Sequence, residues 1–266
     1  TTGTPKGVEL DHANLIAMVT GIIEATGLGA TDRCLLILPL FHVNGIVVSI
    51  LSPLAVGGST SITARFSPLA FFDIIARERP TYFSAVPAIY AMLSTLPDSV
   101  EPDVSSVRFA VCGAAPMPAE LNERFEQRFS LPIVEGYGLS EATCASTLDP
   151  IGGVHKPGTV GVALPGQEVI LLGEDGRPTT EGRGEVIIRG PIVMRGYLGR
   201  PEETPNTLVD GWLRTGDVGA IDEVGYLSIV DRLKDMIIRG GENIYPKGIE
   251  NVLYGHPEVL EAAVVG

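Results

Sequence analysis

Two patterns of apolar residues alternate along the chain up to about residue 137. Segments with apolar residues at helical spacing alternate with shorter segments of strand length. The spaced pattern predicts amphipathic helices over 13–26, 45–56, 68–79, 87–96 and 117–130. The continuous apolar run at 34–38 predicts a buried strand, and we expect further strands over 59–62, 81–85, 107–111 and 132–137. Because strand and helix alternate, we expect an α/β layer with a largely parallel sheet.

The pattern changes after about residue 155. Short runs rich in β-branched residues, at 168–172, 185–189, 218–221 and 226–230, are separated by Gly-containing turns, which is typical of a small antiparallel β region. Beyond these runs we expect a helix over 246–254 and a strand from about residue 260. The chain is therefore divided into an α/β subdomain (1–154), a β-barrel-like subdomain (155–230), and a hinge with the truncated start of a small C-terminal domain (231–266).

Composition narrows the class of protein. The 266 residues are enough for one large or two modest domains, and 45% of them are apolar, enough for a sizeable core. The net charge of −13 disfavours general binding to nucleic acid or anionic membranes, although a local basic pocket for a phosphate ligand is compatible with it. The most apolar stretch, 34–56, is interrupted by prolines and polar residues, so we interpret it as core and not as a membrane span.

Cysteine usage and the chain ends add two expectations. Cys34, Cys112 and Cys144 are scattered and form no CxxC pair, so we expect a reducing, cytoplasmic setting. The chain begins at Thr1 inside a small-residue loop and stops in the middle of a predicted strand at Gly266, so we expect a fragment of a longer protein.

The first segment with candidate chemistry is TTGTPKG at 1–7. A loop of small and hydroxyl residues that ends in a lysine can close its N–H groups and hydroxyls around phosphate oxygens. It does not match the GxxxxGK[ST] pattern of a Walker loop. Taken alone, a plain surface turn is the simpler interpretation.

The second segment is EGYGLSE at 135–141, which follows a predicted strand. Its glycines allow close approach of a ligand, Tyr137 offers a face for stacking a base, Ser140 offers a hydroxyl to a phosphate, and Glu141 offers a carboxylate to Mg²⁺. The alternative interpretation is a Gly-rich turn before a helix, with Ser140 near the cap.

Two further segments carry isolated charges. WLRTGD at 212–217 places Asp217 after a tight turn, where a carboxylate could accept bonds from two ribose hydroxyls, or simply form an Asx turn. DRLKD at 231–235 lies at the junction with the last unit and, taken alone, is a solvated charged linker.

The four segments together are far more specific than any one of them. The sequence resembles the adenylate-forming superfamily of acyl-CoA synthetases, aryl-CoA ligases, beetle luciferases and carrier-loading adenylation domains, over essentially all of its length. Further matches are LPLFHVNG at 38–45, CGAAP at 112–116, GEV at 184–186, RGY at 195–197 and GGENIYP at 240–246. The implied fold is part of the large N-terminal domain of an acyl-CoA synthetase, with a mostly parallel sheet, helices and a small β-barrel region, followed by the start of the small C-terminal α+β domain.

The resemblance implies an AMP-forming acid–thiol ligase. A fatty or aryl carboxylate attacks the α-phosphate of ATP, pyrophosphate leaves, and the thiol of CoA then takes the acyl group from the adenylate. The implied cofactors are ATP/AMP and Mg²⁺, with CoA as co-substrate, and the partners are small molecules. Positioning and charge neutralisation carry most of such a reaction.

Residue by residue, the resemblance implies overlapping sets of site residues. Lys6, Ser140 and Glu141 are catalytic, and Glu141 ligates Mg²⁺. His42, Val43, Gly113, Gly136 and Gly138 face the acyl group. The residues expected to bind nucleotide or CoA are Thr1, Thr2, Gly3, Thr4, Lys6, Gly113, Ala114, Ala115, Glu135, Gly136, Tyr137, Gly138, Ser140, Asp217, Arg232, Lys234, Gly240 and Gly241.

Roles within that last set differ. Tyr137 stacks on adenine, Asp217 holds the ribose with help from Arg232, and Lys234 is the hinge residue, while Gly240 and Gly241 line the pantetheine channel. The family also uses a lysine near the end of the small domain, and this chain ends before that motif. We therefore expect the isolated chain to form adenylate poorly or not at all, which carboxylate-dependent ATP–pyrophosphate exchange would test.

Two alternatives stay open at this point. A carrier-loading adenylation domain uses the same motifs, and an inactive nucleotide-binding homologue would keep them without turnover. The acid is also open, because the small residues of the predicted pocket suit an extended or a planar acyl group. No arginine is evident in the predicted pocket walls, which disfavours an acid with a second carboxylate.

Overall fold

A computed structural model describes residues 5–239, 242–254, 256, 259 and 262–265. Eight α-helices lie in this part of the chain: α1 (His12–Thr26), α2 (Val43–Ile46), α3 (Ser52–Ala55), α4 (Pro68–Glu78), α5 (Pro87–Ser94), α6 (Ala119–Phe129), α7 (Thr204–Thr207) and α8 (Pro246–Tyr254). A π-helical turn (Val47–Leu51) joins α2 to α3, and a 3₁₀ turn covers Ser140–Ala142.

The described strands follow the predicted alternation and then continue into the β region. They are β1 (Val8–Glu9), β2 (Arg33–Leu36), β3 (Ser59–Ile62), β4 (Tyr82–Ala85), β5 (Phe109–Cys112), β6 (Ile133–Tyr137), β7 (Thr147–Leu148), β8 (Val162–Ala163), β9 (Glu168–Leu172), β10 (Pro178–Thr179), β11 (Gly182–Arg189), β12 (Gly196–Tyr197), β13 (Leu208–Val209), β14 (Trp212–Ile221), β15 (Leu227–Arg232), β16 (Ile237–Arg239) and β17 (Glu242–Ile244).

The largest sheet has seven strands in the order β3-β2-β4-β5-β6-β7-β8. The pairs from β3 to β6 are parallel, as the sequence predicts, and β7 and β8 extend the sheet in antiparallel pairing. β4 and β5 are buried at every position, as expected for central strands of a parallel sheet that is covered on both faces. The sheet therefore continues to Ala163, past the predicted subdomain boundary at 154.

Successive residues of these strands face two separate cores. Cys34, Tyr82 and Phe109 pack on one face, and Phe83 and Ala110 pack on the other. This follows from the two-residue repeat of a strand, which sends neighbouring side chains to opposite faces. Helices α4, α5 and α6 cover the second face with an aromatic cluster, in which the rings of Tyr90 and Phe125 meet edge-on at 5.0 Å.

The other core is shared between the two predicted subdomains. Met18 and Ile22 of α1 belong to the same buried cluster as Val186 and Ile188 of β11 and Leu213 of β14. Burial of apolar area on both sides of one core couples two elements far apart in sequence. The division at 154/155 therefore marks a change in secondary structure and not a gap between cores.

Helix α1 begins and ends as its sequence predicts. The Asp11 carboxylate accepts a bond from the Asn14 N–H at 2.8 Å, and the Asn14 side chain accepts one from the Asp11 N–H at 2.9 Å. This reciprocal cap satisfies two of the free N–H groups of the first turn. The buried Asn14 amide also donates to the carbonyl groups of Pro191 and Val193, which ties α1 to the segment before β12.

The predicted helix over 45–56 forms with a local irregularity. Its middle turn, Val47–Leu51, is a π-helix. The carbonyl of Val47 accepts from the Ser52 hydroxyl at 2.8 Å, and that of Val48 accepts from the Tyr82 hydroxyl at 2.7 Å. π-turns of this kind are frequent at functional sites, and this one places Val48 in a cavity wall described below.

A buried carboxylate fixes the amino ends of the central strands. Asp32, just before β2, accepts from the Thr81 hydroxyl at 2.7 Å, the Gly29 N–H at 2.7 Å and the Arg108 Nη2 at 2.9 Å. Burial alone would raise the pKa of Asp32, but these donors outweigh it and lower the pKa. The carboxylate therefore contributes to stability in its charged form.

The β region is an antiparallel sheet of six strands. Its order is β10-β9-β11-β14-β13, and β15 also pairs with β14. In the described part of the chain no pairing joins β10 to β13. β15 runs through Arg232, so the predicted hinge segment begins inside a strand. The predicted helix over 246–254 is confirmed as α8, and the strand expected from about residue 260 begins outside the described residues.

Candidate active site

A cavity of about 190 Å³ opens where the carboxyl ends of β5 and β6 meet the start of α2. In parallel sheets this edge is where ligands bind, because the loops that follow neighbouring strands converge there. The sequence-predicted residues that line it are His42, Val43, Gly113, Ala114, Gly136, Tyr137, Gly138 and Ser140. The structure therefore brings together most of the predicted adenine and acyl-binding residues.

The main chain is tightly packed at one point of this cavity. A Cβ atom at Gly138 would overlap the backbone oxygen of Cys144. Close packing of this segment against the following loop therefore requires glycine at 138. Ala114, which also lines the cavity, has a left-handed backbone with φ of 69°, which is a strained conformation for a residue with a side chain.

A second cavity of about 340 Å³ lies beside the first. Leu139 borders both, while Ser140 lines the first cavity and Glu141 the second. The segment 139–141 is therefore the wall between them. The second cavity is lined by Leu139, Glu141, Glu185, Tyr197, Asn206, Thr207, Arg214, Thr215 and Gly216.

Three predicted nucleotide-binding residues form one hydrogen-bonded group. The Tyr137 hydroxyl donates to Asp217 Oδ2 at 2.6 Å, and Arg232 Nε donates to Asp217 Oδ1 at 2.9 Å. Asp217 is 5% exposed, and it pairs with Arg232 across β14 and β15. A carboxylate has about four acceptor positions, so each Asp217 oxygen keeps a lone pair for a further donor.

Electrostatics in this group follow from burial and from the Asp217 charge. Burial raises the pKa of Tyr137 and the neighbouring carboxylate raises it further, so the phenol stays a donor. Burial alone would lower the pKa of Arg232, but the attraction of Asp217 outweighs it and raises the pKa. The Asp217 carboxylate thus lies between a neutral donor, the Tyr137 hydroxyl, and a cationic donor, the Arg232 guanidinium.

Lys6 is placed at the site by strand pairing. Val8 and Glu9 of β1 pair with Tyr197 and Gly196 of β12, which brings Lys6 over the Tyr197 ring at 4.7 Å. The Lys6 ammonium forms an ion pair with Glu203 at 2.5 Å. The Tyr197 hydroxyl donates to Glu141 Oε1 at 2.7 Å, so Tyr197 connects two predicted catalytic residues.

The donor set at Glu141 can be compared with what Mg²⁺ requires. Mg²⁺ is commonly bound through one or two carboxylates together with substrate phosphates. Glu141 supplies one carboxylate on the wall of the larger cavity, and the described residues contain no cluster of three or more His, Cys, Asp or Glu able to hold a metal. The site therefore fits a metal ion shared with phosphate groups and not a cage made by the protein alone.

Two of the predicted residues lie outside both cavities. The Glu135 side chain lines neither cavity, because it lies on the opposite face of β6 from Gly136, where it accepts from Asn122 Nδ2 at 3.1 Å. The Glu135 backbone N–H and carbonyl both bond to Asp149, so they too are occupied. Ala115 is exposed and lines neither cavity.

The remaining predicted residues lie at or beyond the edge of the described site. Lys234 is exposed in the turn after β15, with Nζ 4.0 Å from Asp235 Oδ1. His42 caps α2, since its Nδ1 accepts from the Asn44 N–H at 3.3 Å while the ring lines the cavity. The predictions for Thr1, Thr2, Gly3, Thr4, Gly240 and Gly241 lie outside the described residues.

Comparison with known proteins assigns the family. The profile of the AMP-binding enzyme family matches residues 1–198. The chain belongs to the AMP-binding enzyme family. It is 42% identical over 267 aligned positions to a feruloyl-CoA synthase of an Amycolatopsis species and 39% identical over 271 to a long-chain-fatty-acid–CoA ligase of Bacillus subtilis. Both alignments cover the whole chain, but only 54% and 48% of those relatives.

A solved structure supports the same assignment. O-succinylbenzoate coenzyme A synthetase from Bacillus subtilis, in complex with ATP and magnesium ion, superposes with a TM-score of 0.90 at 32% identity, over 100% of this chain and 55% of that one. The chain thus spans about half the length of the AMP-binding enzymes it matches. Within it, the fold of the large domain is the one predicted.

Several residues that the structure places at this AMP-binding enzyme site were not predicted to have a role. They are Glu185, Tyr197, Glu203 and Arg214. The first two lie in the GEV and RGY segments and Arg214 lies in WLRTGD, so the motifs indicated the segments that form the site but not the contacts between them.

In the described part of the chain, no helix is both long and apolar enough to cross a membrane. The three cysteines are buried and form no disulfide.

Proposed function

We propose that the complete protein is an AMP-forming acid–thiol ligase that converts a fatty or aryl carboxylic acid to its CoA thioester. The observation that carries this proposal is the Tyr137–Asp217–Arg232 group beside two cavities that share the 139–141 wall. The names of the relatives support CoA as the acceptor, because they are CoA synthases and ligases.

The ribose of ATP is the ligand that suits Asp217. Its carboxylate is held from two sides, and the free lone pairs accept the 2′- and 3′-hydroxyl groups. Adenine occupies the slot between the loop after β5 and the end of β6, where the Tyr137 ring forms part of the wall. Holding the nucleotide by both its base and its sugar fixes the α-phosphate relative to the second substrate.

The phosphates of ATP lie toward Lys6, Ser140 and Glu141. The Lys6 ammonium exchanges its ion pair with Glu203 for phosphate oxygens, and the exposed Ser140 hydroxyl donates to the α-phosphate. Mg²⁺ on Glu141 would neutralise charge on the triphosphate. The protein groups thus bind and orient, and none of them has to transfer a proton in this step.

The reaction balances without a further reactant. A carboxylate oxygen of the acid forms a bond to the α-phosphorus of ATP while the bond to pyrophosphate breaks. The sulfur of CoA then bonds to the acyl carbon, the bond from that carbon to the AMP oxygen breaks, and the thiol proton goes to solvent. ATP, acid and CoA thus become AMP, pyrophosphate and acyl-CoA.

The acyl group enters the apolar inner part of the 190 Å³ cavity, which also contains the adenine slot. Its inner wall is apolar and includes Ile22, Val48 and Leu164, and none of the described residues that line it is a lysine or an arginine. A second carboxylate on the acid would enter this wall unpaired, at a large desolvation cost. We therefore propose a monocarboxylic acid with an apolar chain or ring.

The proposal is tested on the complete protein with ATP, Mg²⁺ and a panel of fatty, aryl and dicarboxylic acids, with and without CoA. Mass spectrometry detects AMP, acyl-adenylate and acyl-CoA. Acyl-CoA from monocarboxylic acids supports the proposal. Acyl-adenylate that is retained and never passed to CoA points to a carrier-loading domain, and the absence of every product refutes ligase activity.

A further inference from the structure

Strand β14 is interrupted at the point where it carries Asp217. On its β11 side, Ile187 pairs with Arg214 and Glu185 pairs with Val218, so residues 215–217 lie opposite the single residue Val186. Extra residues of this kind form a β-bulge, which redirects side chains and is common beside active sites. Gly216 in the bulge has a φ of 73°, in the left-handed region that glycine tolerates.

Side chains replace the ladder bonds that the bulge removes. Glu185 Oε1 accepts from the Gly216 N–H at 3.0 Å, and Glu185 Oε2 accepts from Arg214 Nε at 2.7 Å and also from its Nη2. The Thr215 hydroxyl donates to the Val186 carbonyl at 2.7 Å and accepts from the Asp217 N–H at 3.1 Å. Every residue of the bulge is therefore anchored to β11, directly or through Thr215.

Glu185 is the centre of this arrangement. Its side chain is 6% exposed and that of Arg214 is 38% exposed, so the pair is partly shielded from water. A carboxylate that accepts several charge-assisted or backbone bonds has little freedom to move. Removing the charge of Glu185 would weaken its hydrogen bonds to Arg214 and to the Gly216 N–H. Gly216 directly precedes Asp217 in the chain.

We infer that Glu185, acting with Arg214, is a positioning residue for the nucleotide: it holds the β14 bulge so that Asp217 meets the ribose. Glu185 makes no described hydrogen bond to Asp217, whose two oxygens bond to Tyr137 and Arg232. Its effect reaches Asp217 through the backbone of 215–217. This inference rests on the proposed binding of the ribose by Asp217.

The test compares ATP with 2′,3′-dideoxy-ATP in the complete protein, with pyrophosphate release as the assay. For the wild type we expect ATP to be preferred at least about tenfold in kcat/KM, since two bonds to a carboxylate are lost with the dideoxy nucleotide. Glu185→Gln should raise the KM for ATP about tenfold and change kcat less, and it should lower kcat/KM for the dideoxy nucleotide by a smaller factor. The preference for ATP should therefore shrink.

A matched control lies in the same sheet. Glu168 on β9 binds Arg189 through both oxygens at 2.7 Å, in an exposed pair that lines neither cavity. Glu168→Gln should keep the wild-type preference for ATP. If Glu185→Gln does not fold, as judged by circular dichroism and the melting midpoint, Arg214→Lys provides the same test because it keeps the charge and loses the two-nitrogen contact.

The outcomes distinguish a failure of the positioning role of Glu185 from a failure of ribose binding by Asp217. A folded Glu185→Gln or Arg214→Lys protein that keeps the full preference for ATP overturns the positioning role while leaving ribose binding intact. A wild-type protein that turns over ATP and the dideoxy nucleotide equally well overturns ribose binding by Asp217 and the positioning role with it. A reduced preference in the variant, with the Glu168→Gln control unchanged, supports the inference.

Discussion

Replacing Asp217 by asparagine tests the centre of the proposed site. The change keeps the size of the side chain and removes one acceptor oxygen and the negative charge. In the structure both carboxylate oxygens are occupied, by the Tyr137 hydroxyl at 2.6 Å and by Arg232 Nε at 2.9 Å. The amide NH₂ of the variant must face one of these donors, so one of them loses its acceptor.

The expected loss of kcat/KM follows from the hydrogen bonds that the substitution removes. A hydrogen bond to a charged group contributes about 1.5–3 kcal/mol, which corresponds to about 10- to 150-fold in kcat/KM for ATP. The loss should appear mainly in the KM for ATP, because the 2′- and 3′-hydroxyl groups take no part in the bonds that change. The KM for the acid should change little, since Asp217 does not line the acyl cavity.

The assay is pyrophosphate release by the complete protein at saturating acid, with ATP varied. Asp222→Asn is a suitable control, because Asp222 is also an aspartate of the β region, near the end of β14, and its carboxylate accepts from backbone N–H groups in a turn away from both cavities. Melting midpoints show whether either variant has lost structure. A folded Asp217→Asn protein with unchanged kcat/KM for ATP would refute the ribose role.

Three further predictions concern stability, packing and charge. Asp32→Asn should lower the free energy of unfolding at pH 7 by about 1.5–3 kcal/mol, the contribution of a hydrogen bond to a charged group. Because the folded pKa of Asp32 is lowered, this deficit should shrink below about pH 4 in urea titrations, and a deficit that stays constant with pH would contradict the prediction. Gly138→Ala should abolish nucleotide binding or folding, as measured by calorimetry and circular dichroism, because no space exists for a methyl group. Gly29→Ala is its control and should keep nucleotide binding, because Gly29 has open space at its Cβ position and lines neither cavity. Glu203→Gln should lower the KM for ATP about two- to fivefold by freeing Lys6 from a half-exposed ion pair, and a raised KM would show that Glu203 supports binding instead.

Much of the fold could be predicted from local signals. The helix predicted over 13–26 is found as His12–Thr26, because apolar residues at helical spacing mark it within one segment of chain. The strands expected over 81–85 and 107–111 are found as β4 and β5, between the helices of the alternating pattern. The antiparallel region was predicted as such, but its strand order was not.

The site could be predicted as a set of residues but not as a set of contacts. Motif matching grouped Gly113, Gly136 and Gly138, and the structure places all three on one cavity. It also included Glu135, whose neighbour Gly136 faces the cavity while Glu135 points to α6. The alternation of a strand separates adjacent residues in this way, and a motif carries no information on which face is inward.

The sequence by itself determined the secondary structure of the α/β part, the family to which the chain belongs and the side chains available for binding a nucleotide. Only the tertiary structure decided that the Tyr137 hydroxyl meets Asp217, 80 positions away, that Tyr197 links Lys6 to Glu141, and that a bulge in β14 is held from β11. Helix caps and apolar runs act within a few residues, so they are visible along the chain. Strand order and register depend on burying a core shared by distant segments, and that is settled only when the whole domain packs.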